Sequence, residues 1–206
     1  MIHVPGKKTA GIILAAGSGS RMKKTKQLLP FGKTNILGQV IQNACQSKLD
    51  EIIVVLGHKA DKIQQNIDFS NTRIVLNRKY QMGQSTSLIK GLKTISADCD
   101  GAIFLLGDQP LITSDIINYL VTSFETSNSS IVIPYFNGKR GNPVIVAKSL
   151  FHRLKSISGD TGPRILFEEF KNSILKVPVP DNSILVDVDT KEDYEQLISK
   201  STPNVK

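Results

Sequence analysis

Short apolar runs alternate along this chain with longer stretches in which apolar residues recur every three or four positions. The runs Ala10 to Ala15, Glu51 to Leu56, Arg73 to Leu76 and Gly101 to Leu106 have the length and composition of buried strands. Between them the period becomes helical. Asn35 can cap a helix that presents Ile36, Leu37, Val40, Ile41 and Ala44 on one face. Further helices are predicted near Ala60 to Ile67, Ser85 to Ile95 and Thr113 to Phe124, with a strand at Ser130 to Pro134. Strand and helix alternation of this kind implies crossover connections and a mostly parallel sheet covered on both faces, a three-layer α/β/α architecture.

After Pro134 the rhythm changes. Tyr135 to Pro143 is rich in turn residues and leads into a strand at Val144 to Val146. Helices near Lys148 to Lys155 and Pro163 to Phe170 follow, with strands near Ile174 to Val177 and Ile184 to Val188. Thr190-Lys-Glu-Asp193 resembles a capping box that opens a last helix. The tail from Ser199 is polar. No internal repeat or long linker divides the chain, so residues 1–206 are expected to form one domain.

Composition narrows the picture modestly. The chain is 40% hydrophobic and 21% charged, ordinary for a globular domain. Its 26 basic and 18 acidic residues give a net charge of +8, which favours anionic partners. No aromatic and basic interleaving marks a nucleic-acid motif, and no apolar stretch reaches membrane-span length, so neither partner is expected. Cys45 and Cys99 stand apart, without disulfide or zinc spacing, which fits a cytoplasmic location. His3, His58 and His152 lack spaced partners and read as surface or packing residues.

The most informative stretch follows the first strand. Small residues give way to a Gly/Ser loop, Gly17-Ser18-Gly19-Ser20, and then to Arg21, Lys23, Lys24 and Lys26. Small residues let backbone N–H groups approach phosphate oxygens, and the cations neutralise them. Two common phosphate loops are excluded. A dinucleotide fingerprint needs a third glycine where Met22 stands, and no acid closes the second strand. A Walker A loop ending at Gly32-Lys33-Thr34 needs a glycine where Gln27 stands.

Acidic residues appear at two strand ends. Gly107-Asp108-Gln109-Pro110 closes the strongest apolar run, and open α/β sheets bind ligands beyond the carboxyl ends of their strands. Helix capping does not require Asp108, because Thr113 and Ser114 lie closer to the next helix start. Val186-Asp187-Val188-Asp189-Thr190 supplies the second acidic block. Magnesium usually takes one or two carboxylates plus substrate phosphates, so Asp108 with Asp189 forms a candidate Mg2+ pair. Strand alternation would put Asp187 and Asp189 on one side, which leaves either as the second ligand.

Leu14-Ala-Ala-Gly-x-Gly-x-Arg-Met followed by Lys26-x-Leu-Leu-Pro30 resembles the signature loop of the MobA-like nucleotidyltransferases. The resemblance runs from Ile12 to about Leu197 and implies a fold of the nucleotide-diphospho-sugar transferase type. It further implies that Arg21 and Lys26 hold a triphosphate, and with Asp108 form the catalytic set. Leu14, Ala15, Ala16, Gly17, Ser18, Gly19 and Ser20 would border the nucleotide, together with Gly83, Ser85 and Gly107. The Asp-Thr position of the last acidic block favours Asp189 as the second metal ligand.

Two later blocks, Gly138 to Pro143 and Ser158 to Arg164, resemble the molybdenum cofactor cytidylyltransferase branch of that family. Asn142, Pro143, Gly159, Asp160, Gly162 and Arg164 would then contact the acceptor. That branch usually carries Gly-His-Pro where Gly141-Asn142-Pro143 stands, and asparagine hydrogen-bonds but takes up no proton. The resemblance implies a lean towards CTP, because guanylyl-transferring relatives usually have Leu-Ala-Gly-Gly where this chain has Leu-Ala-Ala-Gly, and the acceptor would be the phosphate of molybdopterin. The alternatives are a sugar or polyol phosphate acceptor, or a non-catalytic carrier of molybdopterin serving a molybdenum hydroxylase.

Overall fold

The computed structural model describes residues 6–18, 22 and 25–201. Its elements are, in order, β1 (Thr9–Ala15), β2 (Pro30–Phe31), β3 (Thr34–Asn35), α1 (Ile36–Cys45), β4 (Glu51–Leu56), α2 (Ala60–Gln64), β5 (Arg73–Leu76), α3 (Gln84–Leu92), β6 (Gly101–Leu106), α4 (Ser114–Thr126), β7 (Ile131–Phe136), β8 (Lys139–Arg140), β9 (Val144–Ala147), α5 (Phe151–Leu154), β10 (Ile174–Pro178) and α6 (Lys191–Ser201).

The main sheet has the order β10-β7-β9-β6-β1-β4-β5, with β8 paired to β7. The pairs β1/β4, β1/β6, β4/β5 and β7/β10 are parallel. Strand β9 runs antiparallel to both β6 and β7. The reason is chain length. Only residues 137–143 join β7 to β9, and a parallel neighbour needs a crossover of roughly a dozen residues or more. That connection begins with Asn137 and Gly138, both at positive φ, which folds β8 back on β7.

Each central strand divides its side chains between two cores. Ile13 and Ala15 of β1, Ile52, Val54 and Leu56 of β4, and Ile103 and Leu105 of β6 face one core with α1 and α4. Ala10 and Ile12, Ile53 and Val55, and Ala102 and Phe104 face the other with α3 and α5. This is why the strands read as continuous apolar runs: alternation puts every second residue on the opposite, equally covered face. A third, smaller core joins Phe31, Ile36, Val188 and Leu197, tying α6 to the β2/β3 hairpin.

Caps fall where local chemistry places them. The Asn35 side chain accepts from Gly38 N at 2.8 Å, and Thr113 accepts from Ile116 N at 3.3 Å. Thr190 and Asp193 form the reciprocal capping box: Asp193 N donates to Thr190 Oγ1 at 3.1 Å and Thr190 N to Asp193 Oδ2 at 2.8 Å.

The structure corrects several expected elements. The strand expected at Ile184 to Val188 is a 3-10 turn over Asn182–Leu185 followed by irregular chain. Ile184 O accepts from Asn142 N at 3.1 Å, and Val188 N donates to Asp108 O at 3.2 Å. The segment therefore crosses the sheet's edge through single backbone bonds instead of joining a ladder. Helix α2 stops at Gln64, short of Ile67. The helix expected at Pro163 to Phe170 is 3-10 over Pro163–Leu166, and that at Lys148 to Lys155 has one α turn after a 3-10 start. Helix α6 continues through Ser201, beyond the Ser199 at which the tail was expected to begin. Among the described residues no helix is long and apolar enough to cross a membrane.

Asn35→Ala removes the side-chain cap of α1 without touching either large core. Stability is expected to fall by about 1 kcal/mol, read as a lower urea midpoint at unchanged slope.

Candidate functional site

Strand β1 lies between β4, which follows it in the winding, and β6, where the winding reverses; this is the crevice in which open α/β sheets bind ligands. Four small residues let the strand ends approach there. A Cβ on Gly107 would sit 2.8 Å from Ala15 Cβ, and a Cβ on Gly57 would sit 2.8 Å from Ala16 Cβ. Gly107 N donates to Leu14 O at 3.0 Å, and His58 N to Ala16 O at 3.1 Å. The chain leaving β1 is thus clamped between the ends of its two neighbours.

Gln27 completes the clamp. Its side chain is buried, and Nε2 donates to the carbonyls of Ala15 at 3.2 Å and Gly17 at 3.3 Å. Sequence reasoning passed over Gln27, treating it only as the residue that spoils a Walker A loop. The signal was available in its place beside Lys26, on the turn that faces the loop.

A cavity of about 1060 Å³ opens above these strand ends. Leu14, Ala15, Ala16, Gly17 and Ser18 form one wall, and Lys26, Gly107, Asp108, Asp187 and Asp189 form its floor and side. Gly19, Ser20 and Arg21 lie outside the described residues. Arg140, Asn142, Asp160, Gly162, Arg164 and Phe167 line it as well. The β1 loop and the two late turn-rich blocks, remote in sequence, thus share one cavity.

Lys26 Nζ donates to Asp108 Oδ2 and to Asp189 Oδ1, the latter at 3.0 Å. The Lys26 and Asp108 side chains are only 13% and 18% exposed, so water screens this contact weakly. Burial pulls the Lys26 pKa down, but the Asp108 and Asp189 charges more than offset it and leave it above the usual lysine value. Asp187 stands on the same cavity wall without entering the bridge. Desolvation first, then repulsion from Asp108 and Asp189, pushes its carboxyl up.

The third core explains how Asp189 reaches Asp108. Val188 is fully buried between Phe31, Ile36 and Leu197, and its amide donates to the Asp108 carbonyl. Asp193 then accepts from the amides of Asp189 and Thr190. An apolar anchor and a helix cap therefore aim one acidic side chain, with no strand involved.

Other expected positions fall elsewhere. Ser85 is buried outside the cavity lining, and its hydroxyl has no hydrogen-bond partner. Its amide donates to Gly159 O at 3.2 Å. Gly83 lines the cavity at φ 106°, where a Cβ would meet the Gly159 carbonyl at 2.3 Å. Gly159 and Pro143 are likewise outside the lining. The Gly83 and Gly159 blocks pack on each other, with Asp160 accepting from Gln84 N at 3.4 Å at the start of α3. Asp160 thus caps a helix as well as facing the cavity. Gly141 must be glycine because a Cβ there would meet Ile184 O at 2.4 Å.

His58, read as a surface or packing residue, packs on Tyr80 and lines the cavity, with Nδ1 3.3 Å from the Tyr80 hydroxyl and ring centroids 5.9 Å apart. Arg140, also in the lining, lies over the Phe167 ring at 5.2 Å. Neither pair has a sequence signature, because the members of each come from separate segments.

Fold and site together define a nucleotidyltransferase. Residues 11–174 match the MobA-like NTP transferase domain, and the chain belongs to that family. It is 27% identical to the molybdenum cofactor cytidylyltransferase of Escherichia coli (strain K12), over 89% of this chain and 92% of the relative. It is 28% identical to the purine catabolism protein PucB of Bacillus subtilis (strain 168), over 91% and 94%. It is 26% identical to the nicotine blue oxidoreductase of Paenarthrobacter nicotinovorans, over 91% and 95%. Among solved structures it superposes on the Mycobacterium tuberculosis H37Rv protein Rv0371c in complex with manganese, at TM-score 0.80 and 25% identity over 94% and 99% of the chains.

Gln27→Met keeps the side chain's bulk and removes both donors to the β1 loop. Stability is expected to drop by about 1–3 kcal/mol, with faster amide exchange at Gly17 and Ser18. Unchanged exchange there would show that the amide does not hold the loop.

Proposed function

We propose that the chain transfers CMP from CTP to the phosphate of molybdopterin, releasing pyrophosphate. The observation that carries the transfer reaction is the convergence of Asp108, Asp189 and Lys26 on one cavity wall beside the β1 loop. The acceptor and base rest on weaker support: the Leu14-Ala-Ala-Gly17 loop, the turn-rich blocks in the cavity's lining, and the likeness to the Escherichia coli enzyme.

The donor set fits a divalent cation. Lys26 already holds a cationic group between two carboxylates, which together outweigh its single positive charge. Among the described residues no three His, Cys, Asp or Glu side chains form a metal cage. A cation on Asp108 and Asp189 would complete its shell with water and phosphate oxygens, the pattern that suits Mg2+. Bound there, Mg2+ would neutralise charge on the α-phosphate and the leaving pyrophosphate.

The chain's own groups do the remainder. Backbone N–H groups of the β1 loop, held by Gln27, would face the phosphates, with Arg21 and Lys26 supplying positive charge. Arg140 and Arg164, which line the same cavity, would offer positive charge to an anionic acceptor. A phosphate monoester is already largely ionised near neutral pH. The reaction therefore needs alignment more than a strong base, and Asn142 in place of a histidine is compatible with it.

The test is pyrophosphate release with CTP, GTP, ATP and UTP in turn, with Mg2+, with and without molybdopterin. Release with CTP only when molybdopterin is present is the expected result. Silence with all four, from folded protein on intact molybdopterin, would overturn the proposed acceptor and redirect the search to sugar or polyol phosphates or to a carrier role. Asp108→Ala is expected to abolish turnover while the thermal transition survives; normal transfer by that variant would refute the site.

A further inference from the structure

Lys26 sits against both side chains proposed above to hold the metal. Its ammonium contacts Asp108 Oδ2 and Asp189 Oδ1, oxygens from the two side chains assigned to Mg2+ above. Magnesium requires carboxylate oxygens at about 2.0–2.1 Å. A cation drawing on these two oxygens would overlap the ammonium, and two positive charges cannot share a weakly hydrated spot.

We propose that Lys26 is the resident counter-ion of this acidic site in the nucleotide-free chain, competes with the divalent metal for it, and is drawn off by the triphosphate. Metal and nucleotide then bind cooperatively through one lysine. The inference rests on the metal reading under Proposed function.

The local structure suits such an exchange. The backbone at Lys26 is fixed: Leu28 N donates to Thr25 O at 2.9 Å, Leu29 N to Lys26 O at 3.1 Å, and the neighbouring Gln27 side chain is buried against the β1 loop. The lysine stem is four flexible carbons, so its head can swing while its base stays put. Gly17 and Ser18 lie on the same cavity wall, where arriving phosphates would offer the ammonium new anionic partners. Removing Lys26 leaves the Asp108 and Asp189 carboxylates without their cation, a demand that a divalent ion can meet. Without nucleotide the lysine holds those two carboxylates and metal is held weakly.

Mn2+ binding without any nucleotide, followed by loss of the free-ion EPR signal, separates the possibilities. Lys26→Met is expected to bind Mn2+ about tenfold more tightly than wild type, within the usual range of a coupling between sites. Lys26→Gln keeps an N–H donor for the carboxylates, guards against misfolding, and is expected to behave like Lys26→Met. Lys26→Arg retains the charge and should remain as weak as wild type. Asp108→Asn should lose Mn2+ binding. If Lys26→Met and Lys26→Gln bind no more tightly than wild type while Asp108→Asn loses the metal, the competition is wrong and the metal site stands. The competition also fails if Lys26→Arg binds as tightly as Lys26→Met. If Asp108→Asn binds Mn2+ like wild type, the metal reading itself is overturned.

Discussion

The bridge from Lys26 to Asp108 and Asp189 is the contact through which distant parts of this molecule meet. It joins the turn after the β1 loop, the carboxyl end of the central strand β6, and the irregular segment before α6. Little water reaches it, so its parts are tightly coupled in charge. Buried ion pairs of this kind add modest net stability, because desolvation offsets much of the attraction. Losing one partner is costly, since a charge is left uncompensated. The bridge therefore links three chain segments above the sheet without adding much to stability.

Packing prepares the ground for that bridge. Gly57 and Gly107 leave no room for side chains where β4 and β6 end beside Ala15 and Ala16. Val188 anchors the last segment in a small apolar core, and its amide reaches the carbonyl of Asp108. Charged side chains are thus aimed by apolar contacts and close backbone approach. Such placement is rigid, which is what a reaction dependent on alignment would require.

The cavity's walls are of two kinds. Part is the carboxyl edge of the sheet that the family's fold supplies. Part is assembled from turns, where Arg140 lies over Phe167, Gly141 packs under Ile184, and the Gly159 block rests on Gly83. Relatives of nearly equal identity carry unrelated names, so overall similarity does not select an acceptor. Folds of this type host many substrates, and the choice lies in the loops.

By itself the sequence determined the layered architecture and most of its elements. Apolar runs such as Glu51–Leu56 and Gly101–Leu106 can only be strands buried on both faces, and Asn35, Thr113 and Thr190 mark helix starts by local hydrogen bonding. It also marked Asp108, the Asp187/Asp189 block and the cation cluster after the β1 loop; resemblance to the family's motif then picked Lys26 and Asp189 from among them. Tertiary structure decided the rest. It turned the expected strand at Ile184 to Val188 into a crossing segment, since its backbone bonds go singly to Asn142 and Asp108. It drew His58 to Tyr80 and Gln27 to the β1 loop, and it took Ser85 out of the cavity. Those outcomes depend on contacts between residues far apart in the chain. Local periodicity carries no record of them, because it reports which face a residue prefers and not what it will meet there.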